Sequence, residues 1–94
     1  MEHKSIFLTG AASGIGRATA ELFHRKGWFV GCFDVDNDAL QDLGKTLGDR
    51  CYTAYLDVRD KAAFDTALTL FAEQTDGRLD LMFNNAGITV GGYF

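Results

Sequence analysis

Short apolar runs alternate along the chain with longer segments whose apolar residues repeat at helical spacing. Four of these runs, at residues 5–8, 28–33, 51–56 and 79–83, are predicted to be strands. They are apolar without a polar residue at every second position, which is typical of parallel strands that are buried on both faces.

The first helix is predicted over residues 14–26, because apolar side chains recur there at helical spacing. Its apolar face is expected to consist of Ile15, Ala18, Leu22 and Phe23.

Two further helices are predicted, one ending near Leu47 and one ending before Gly77. Asp36 and Asn37 are alternative caps for the second helix, and Asp60 is the expected cap of the third. Strand and helix therefore alternate three times before a final strand. That order predicts an α/β protein, a three-layer sandwich in which helices cover both faces of a parallel sheet.

Each predicted strand ends in a polar or glycine-rich segment. These segments are residues 9–16, Asp34, Asp57 and residues 84–87. The carboxyl ends of parallel strands lie at one edge of a sheet, where such folds bind their ligands. The sequence therefore predicts a binding site at that edge, with ordinary turns as the alternative.

The segment at residues 9–16 reads Thr-Gly-Ala-Ala-Ser-Gly-Ile-Gly and joins a strand to a helix. Backbone N–H groups and the positive end of a helix meet there, an arrangement that suits a phosphate. Gly10 is expected to adopt a backbone angle that a Cβ atom would forbid. Gly14 and Gly16 are expected to leave room for a pyrophosphate and a neighbouring strand. Arg17 follows directly, and we expect it to meet solvent or Glu21 rather than a phosphate.

Asp34 and Asp57 end the second and third predicted strands. An acid about 20 residues past such a glycine turn accepts hydrogen bonds from the adenosine ribose. Asp34 would repel a 2′-phosphate, and neither Ser13 nor Val35 supplies a positive charge, so NAD is preferred over NADP. Asp57 could accept from the adenine amino group beside Val58. The alternatives are that both acids only cap local structure.

The composition excludes several other classes of function. The chain has 94 residues and a formal net charge of −4. Its basic residues are scattered among acids, so it lacks the basic stripe that is typical of nucleic-acid-binding proteins. The apolar runs are too short for a membrane span. Cys32 and Cys51 have no metal-ligand spacing and are expected to be reduced core thiols, which favours a cytoplasmic location.

Together these motifs identify a resemblance that covers almost the whole chain. The glycine segment at residues 9–16, Asp34, Asp57-Val58 and Asn-Asn-Ala-Gly at residues 84–87 resemble the short-chain dehydrogenase/reductases. The resemblance implies a Rossmann-like sheet with strand order 3-2-1-4 and an oxidoreductase that uses NAD(P), usually as an oligomer. It also implies hydride transfer between an alcohol and a ketone or aldehyde, with a small-molecule substrate in the full-length protein.

The resemblance implies that Asn84 mainly stabilises the sheet. It also implies a set of cofactor-binding residues, namely Gly10, Ala12, Ser13, Gly14, Ile15, Gly16, Asp34, Val35, Asp57, Val58, Asn85, Ala86 and Gly87.

The catalytic residues of the family have no counterpart in this sequence. Members use a Ser and a Tyr-x-x-x-Lys pair, whereas Leu56 stands four residues after Tyr52 and Arg59 four after Tyr55. We therefore expect residues 1–94 to be a partial NAD-binding domain, truncated after its fourth strand and inactive alone. A non-catalytic dinucleotide-binding or interaction module is the alternative. The fourth strand is expected to be an open edge that promotes association with another chain.

Overall fold

The computed structural model describes residues 3–84 and 87–90, the last four by their backbone alone. Three helices alternate with the first four of its five strands. In chain order the elements are β1 (Ser5–Thr9), α1 (Gly14–Arg25), β2 (Phe29–Asp34), α2 (Asn37–Leu47), β3 (Cys51–Tyr55), α3 (Lys61–Gln74), β4 (Leu81–Asn84) and β5 (Gly87–Val90). The predicted helices and strands are confirmed to within about two residues at each end.

The strands form one sheet in the order β3-β2-β1-β4-β5. β1 pairs in parallel with β2 and β4, and β2 pairs in parallel with β3. The register places Leu8 beside Cys32 on one side and beside Phe83 on the other. The predicted order 3-2-1-4 is thus confirmed for the parallel part of a Rossmann-like α/β fold, with β1 at its centre.

The expectation that β4 ends the sheet and forms an open edge is wrong. β5 pairs with β4 in antiparallel register, from Asn84 beside Gly87 to Leu81 beside Val90. Residues 88–90 read Ile-Thr-Val, a β-branched run with strand propensity that is too short to stand out in the apolar pattern. The free edges of the described sheet are therefore those of β3 and β5, and β4 is covered by the chain itself.

Two apolar layers lie on opposite faces of the sheet. The layer that holds α1 and α2 is built from Ile6, Leu8, Val30, Cys32, Leu40, Leu43 and Leu47. The layer that holds α3 is built from Phe7, Phe33, Leu56, Ala67, Phe71 and Leu79. Successive residues in the middle of β1 alternate between the two layers, which explains why residues 6–8 are all apolar.

The predicted apolar face of α1 is confirmed at Phe23 alone, which is partly buried against the core. The fully buried residues of the helix are Gly16 and Ala20, whereas Ile15 is 77% exposed and Leu22 is 42% exposed. These small residues let the helix pack closely, Gly16 on the preceding loop and Ala20 in the core, and a search for large apolar side chains cannot detect such contacts.

The caps are as expected, because Asp36 accepts a hydrogen bond from the Ala39 N–H and Asp60 accepts one from the Ala63 N–H.

Gly31 in β2 leaves the space that the ring of Phe71 occupies. A Cβ atom at Gly31 would overlap that ring and lie 3.0 Å from Cε2 of Phe33. Phe71 is fully buried and meets Phe7 edge to face at a centroid distance of 5.6 Å. We expect Gly31→Ala to lower the free energy of unfolding by about 1–3 kcal/mol, because an overpacked core must rearrange. Urea unfolding measures this change, and a value within about 0.5 kcal/mol of the wild type would contradict the close contact.

Asp80 joins the start of β1 to the segment before β4. Its carboxylate accepts from the Ser5 N–H at 2.8 Å and from Nε of Arg78 at 2.8 Å. Burial acts to raise the pKa of Asp80, but the hydrogen bonds from Arg78 and Ser5 together hold that pKa below its ordinary value of 3.8. The ionised carboxylate therefore stabilises the fold at neutral pH.

This ion pair predicts an acid-dependent difference between the wild type and Asp80→Asn. Because the pKa of Asp80 is lowered by folding, its contribution is present above pH 3.8 and is lost as the pH falls further. At pH 7 we expect Asp80→Asn to lower the free energy of unfolding, measured in urea, by about 1–2 kcal/mol. The two proteins should converge towards pH 2. A difference that does not depend on pH would contradict an ionic contribution.

Candidate functional site

The carboxyl ends of β1, β2, β3 and β4 surround a pocket of about 490 Å³. It is lined by Thr9, Gly10, Asp34, Val35, Leu56, Asp57, Val58, Arg59, Phe64 and Asn84. The volume falls in the range of small-molecule and cofactor sites. The structure thus brings the polar ends of four predicted strands into one cavity.

The glycine loop, residues 9–16, contains three glycines that meet two different structural requirements. Gly10 has a φ of 64° and Gly14 a φ of 58°, in the left-handed region that side chains disfavour. Gly16 packs so closely on the loop that an added Cβ would overlap the carbonyl oxygen of Gly10. The crowding expected at Gly16 is therefore present, but its partner is the loop itself rather than a neighbouring strand.

The N-terminus of α1 has no side-chain cap. Its cap residue, Ser13, makes no side-chain hydrogen bond to the helix, and the first turn carries no acid. A second pocket of about 440 Å³ lies there, lined by Gly10, Ser13, Ile15, Gly16, Asp34 and Phe83. Backbone N–H groups and the positive helix end are thus available beside a cavity, a combination that fits a phosphate group.

Asp34 connects the glycine loop to the end of β2. One carboxylate oxygen accepts from the Ala12 N–H at 3.0 Å. The other accepts from the N–H groups of Val35 at 2.7 Å and Asp36 at 3.1 Å. These three hydrogen bonds fix the orientation of the carboxylate. Asp34 lines both pockets, which therefore meet at this residue.

Asp57 is held by Arg59 at the end of β3. Nε of Arg59 donates to Oδ1 at 3.0 Å, and a terminal guanidinium nitrogen donates to Oδ2 at 2.8 Å. The Arg59 backbone N–H also donates to Oδ1 at 3.0 Å. These side-chain and backbone hydrogen bonds lower the pKa of Asp57 to about 2, so the carboxylate is ionised and acts only as an acceptor near neutral pH.

Exposed apolar side chains border the two pockets. Val35 is 56% exposed and Val58 is 52% exposed, and both line the larger pocket. The exposed side chain of Ile15 lines the smaller one. Apolar groups at a pocket mouth provide a surface for a flat ring or a ribose.

Ala12 and residues 85–87 are the remaining residues that the sequence predicts for the site. Ala12 is buried and its N–H is hydrogen-bonded to Asp34. Asn85 and Ala86 lie outside the described residues. Gly87 is described by its backbone, which begins β5 beside Asn84.

Arg17 forms its main contact with an acid on α2. One guanidinium nitrogen lies 3.0 Å from Oδ2 of Asp42 on α2, and Nε lies 3.8 Å from Glu21. The expected partner Glu21 is therefore present but secondary, and the main contact joins two helices. Residues 25 positions apart in sequence give no local signal for such a pair.

Four pocket residues were not predicted, namely Leu56, Arg59, Phe64 and Phe83. Of these, Arg59 had a local signal, because it stands two residues after an acid at a strand end. Within residues 3–84 and the β5 backbone, no group of His, Cys, Asp or Glu is placed to hold a metal ion. No helix in the described part of the chain has the length and apolarity needed to cross a bilayer.

Comparisons with known proteins agree with this geometry. Tropinone reductase-like 2 of Erythroxylum coca is 42% identical over 92 residues, which cover 97% of this chain and 33% of that protein. The NADP-dependent 3-hydroxy acid dehydrogenase of Shigella flexneri is 37% identical over 87 residues, covering 92% of this chain and 34% of that protein. The chain thus spans about a third of the length of these relatives.

A solved structure shows the same fold with a cofactor. The 3-ketoacyl-(acyl-carrier-protein) reductase from Brucella melitensis, complexed with NADH, matches with a TM-score of 0.79 and 26% identity. The match covers 84% of this chain and 32% of that one. The sequence profile of the family described as short chain dehydrogenase matches residues 4–94. Because that match covers nearly every residue, the chain belongs to the short-chain dehydrogenase family of oxidoreductases.

Proposed function

We propose that this chain is the NAD-binding portion of an oxidoreductase that interconverts an alcohol and a ketone or aldehyde. The observation that supports this most strongly is the pocket formed by four strand ends, in which Asp34 links the glycine loop to β2. The NADH complex of a structural neighbour is consistent with a dinucleotide at this edge. When bound, NAD would supply the hydride acceptor, and the residues of this chain would hold and orient it.

The proposed positions follow the shape of the two pockets. The open N-terminus of α1 and the glycine loop hold the pyrophosphate in the smaller pocket. The carboxylate of Asp34 accepts from the adenosine ribose hydroxyls where the two pockets meet. Asp57 and Val58 bind the adenine in the larger pocket. Residues 85–87 border the other ribose.

NAD is preferred over NADP in this proposal because of the charge at the ribose. The Asp34 carboxylate is fixed by three backbone N–H groups and cannot turn away from a 2′-phosphate without losing them. A phosphate at that position would meet a like charge at short range. One relative is named as NADP-dependent, so the preference of this chain depends on its own residues.

Calorimetric titration of the 94-residue chain with NAD and with NADP tests the site and its preference together. We expect saturable binding of NAD and at least tenfold weaker binding of NADP. Tighter binding of NADP would overturn the role given to Asp34, and binding of neither would overturn the site.

Turnover is not expected from this chain by itself. Neither Tyr52 nor Tyr55 has a lysine four residues later, so neither forms the Tyr-x-x-x-Lys pair that members of the family use. We propose that the substrate, the family's usual oligomeric contacts and the catalytic groups belong to the full-length protein. The two cysteines are free thiols, which supports a reducing compartment such as the cytoplasm.

A further inference from the structure

β5 is an outer strand of the sheet, and the described part of the chain places no further strand beyond it. It runs from Gly87 to Val90 and pairs with β4 in antiparallel register. Successive residues of an antiparallel strand direct their N–H and C=O groups to opposite sides. Two of the four residues therefore direct both groups away from β4. Such backbone groups must hydrogen-bond to water or to another strand.

The sequence around β5 lacks the residues with which proteins protect such an edge. Every Lys, Arg, Asp and Glu of the chain lies within residues 1–80, so residues 81–94 carry no charged side chain. The chain also has no proline. Charged side chains and Pro at a sheet edge oppose pairing with another chain. β5 has neither, and its residues 88–90 are β-branched, so its sequence favours pairing.

The opposite edge of the sheet, formed by β3, differs in this respect. Asp49 precedes β3 and Arg59 follows it, with side chains that are 82% and 88% exposed. A second strand laid along β3 would have to take these charges out of water or find partners for them. The distribution of charge therefore favours β5 over β3 as a contact edge.

A second copy of the chain is the partner that this edge fits. A two-fold axis perpendicular to the sheet sets two β5 strands side by side in antiparallel order. Each copy then offers the same two N–H donors and two C=O acceptors, so the two edges are complementary. No like charges meet across the contact, because β5 and its neighbours in sequence carry none. An acidic or basic peptide, in contrast, would find no opposite charge on β5.

We propose that β5 is a self-association edge, through which two copies of this chain form a two-fold dimer whose five-stranded sheets join into one. The contact consists of a few backbone hydrogen bonds, so the dimer is weak and reversible. The association expected at the edge of β4 thus moves outward by one strand, to the strand that covers it. Association is measured without a cofactor, so it does not depend on the proposed function.

Analytical ultracentrifugation of the 94-residue chain tests the proposal. The average mass should rise from 10.3 kDa towards twice that value as the concentration increases. The rise should occur between about 10 µM and about 1 mM, the range that suits a contact of a few hydrogen bonds. Added salt should not weaken the association, because no ion pair takes part in it.

Charge substitutions at Thr89, the polar residue of β5, test the two-fold geometry. In such a pairing residue 89 lies either opposite its own copy or one diagonal step away on the same face, within reach of long side chains. Thr89→Lys and Thr89→Glu should each weaken association by about tenfold, because like charges meet. An equimolar mixture of the two variants should associate within about threefold of the wild type, since opposite charges then meet. A variant that had merely lost its fold could not recover on mixing.

Thr66→Lys is the matched control, because it adds the same charge at an exposed residue of α3. It should leave the Kd of association within about threefold of the wild type. A wild type that stays monomeric up to about 1 mM would overturn the proposal. Growth beyond the dimer would also overturn it, since pairing of β5 with the free edge of β3 adds copies without limit. Failure of the mixed Lys and Glu variants to associate would exclude the two-fold contact.

Discussion

Gly16→Ala is expected to lower the free energy of unfolding and the NAD affinity of the chain more than either Gly31→Ala or Gly44→Ala does. The added Cβ would overlap the carbonyl oxygen of Gly10 and lie 3.1 Å from Cα of Ala11. These are backbone atoms, so no side-chain rotation relieves the overlap and the loop must move away from α1. We expect the free energy of unfolding to fall by about 3 kcal/mol, at the upper end of the cost of overpacking.

The same displacement would remove the loop from its proposed ligand. Loss of only two backbone hydrogen bonds to a phosphate corresponds to about 3 kcal/mol, or roughly 100-fold in affinity. Urea unfolding and NAD titration of the same preparation measure the two effects. If Gly16→Ala unfolds like the wild type, the close approach of α1 to Gly10 is wrong. Weak binding without loss of stability would instead indicate a direct clash with the ligand.

Gly44→Ala is the matched control, because it makes the same chemical change where there is room. Gly44 lies inside α2, and its added Cβ would meet Thr53 Cγ2 at 3.6 Å, an ordinary contact distance. Alanine is the better helix former, so we expect this variant to gain about 0.5–1 kcal/mol of stability with unchanged NAD affinity. Gly16→Ala and Gly44→Ala should therefore change the free energy of unfolding in opposite directions.

The sequence pattern predicts the order of the elements and the edge at which the site lies, but not the packing that distinguishes Gly16 from Gly44. The order of strands and helices follows from apolar runs and caps, and strand ends of a parallel sheet must meet at one edge. The sequence alone therefore predicts that Asp34, Asp57 and the glycine loop lie together, as they do around the larger pocket. The caps at Asp36 and Asp60 follow from local chemistry in the same way.

The errors have physical causes of another kind. α1 packs through Gly16 and Ala20, and small residues contribute little to a hydrophobic pattern even where they permit the closest approach. The Arg17 contact to Asp42 joins two helices, so its partner cannot be deduced from neighbouring positions. The hydrogen bonds that Asp34 forms with backbone N–H groups depend on loop geometry, which residue types alone do not determine.

Those hydrogen bonds change the prediction for Asp34→Ala, the other substitution with a large expected effect. Removing the carboxylate deletes any ribose contact and also leaves the Ala12, Val35 and Asp36 N–H groups without their acceptor. NAD affinity should fall by about 10- to 100-fold, the range for hydrogen bonds to a charged group. Part of that loss would come from the loop rather than from the ribose.

The ratio of NAD to NADP affinity separates the two contributions. A disordered glycine loop weakens both dinucleotides equally, because both carry the same pyrophosphate. Loss of the ribose contact weakens NAD alone, and loss of the negative charge favours the 2′-phosphate of NADP. We therefore expect the preference for NAD to shrink by at least tenfold in Asp34→Ala when both Kd values are measured by calorimetry.

Asp38→Asn tests whether removal of any nearby negative charge changes the ratio of NAD to NADP affinity. Asp38 is an exposed acid in the first turn of α2, four residues from Asp34, and it lines neither pocket. Because the charge of an exposed side chain is strongly screened, Asp38→Asn should change the ratio by less than about threefold.

If Asp34→Ala instead lowers NAD and NADP affinity in equal proportion, then Asp34 supports the glycine loop and does not select the cofactor. The preference for NAD would then need another origin among the pocket residues.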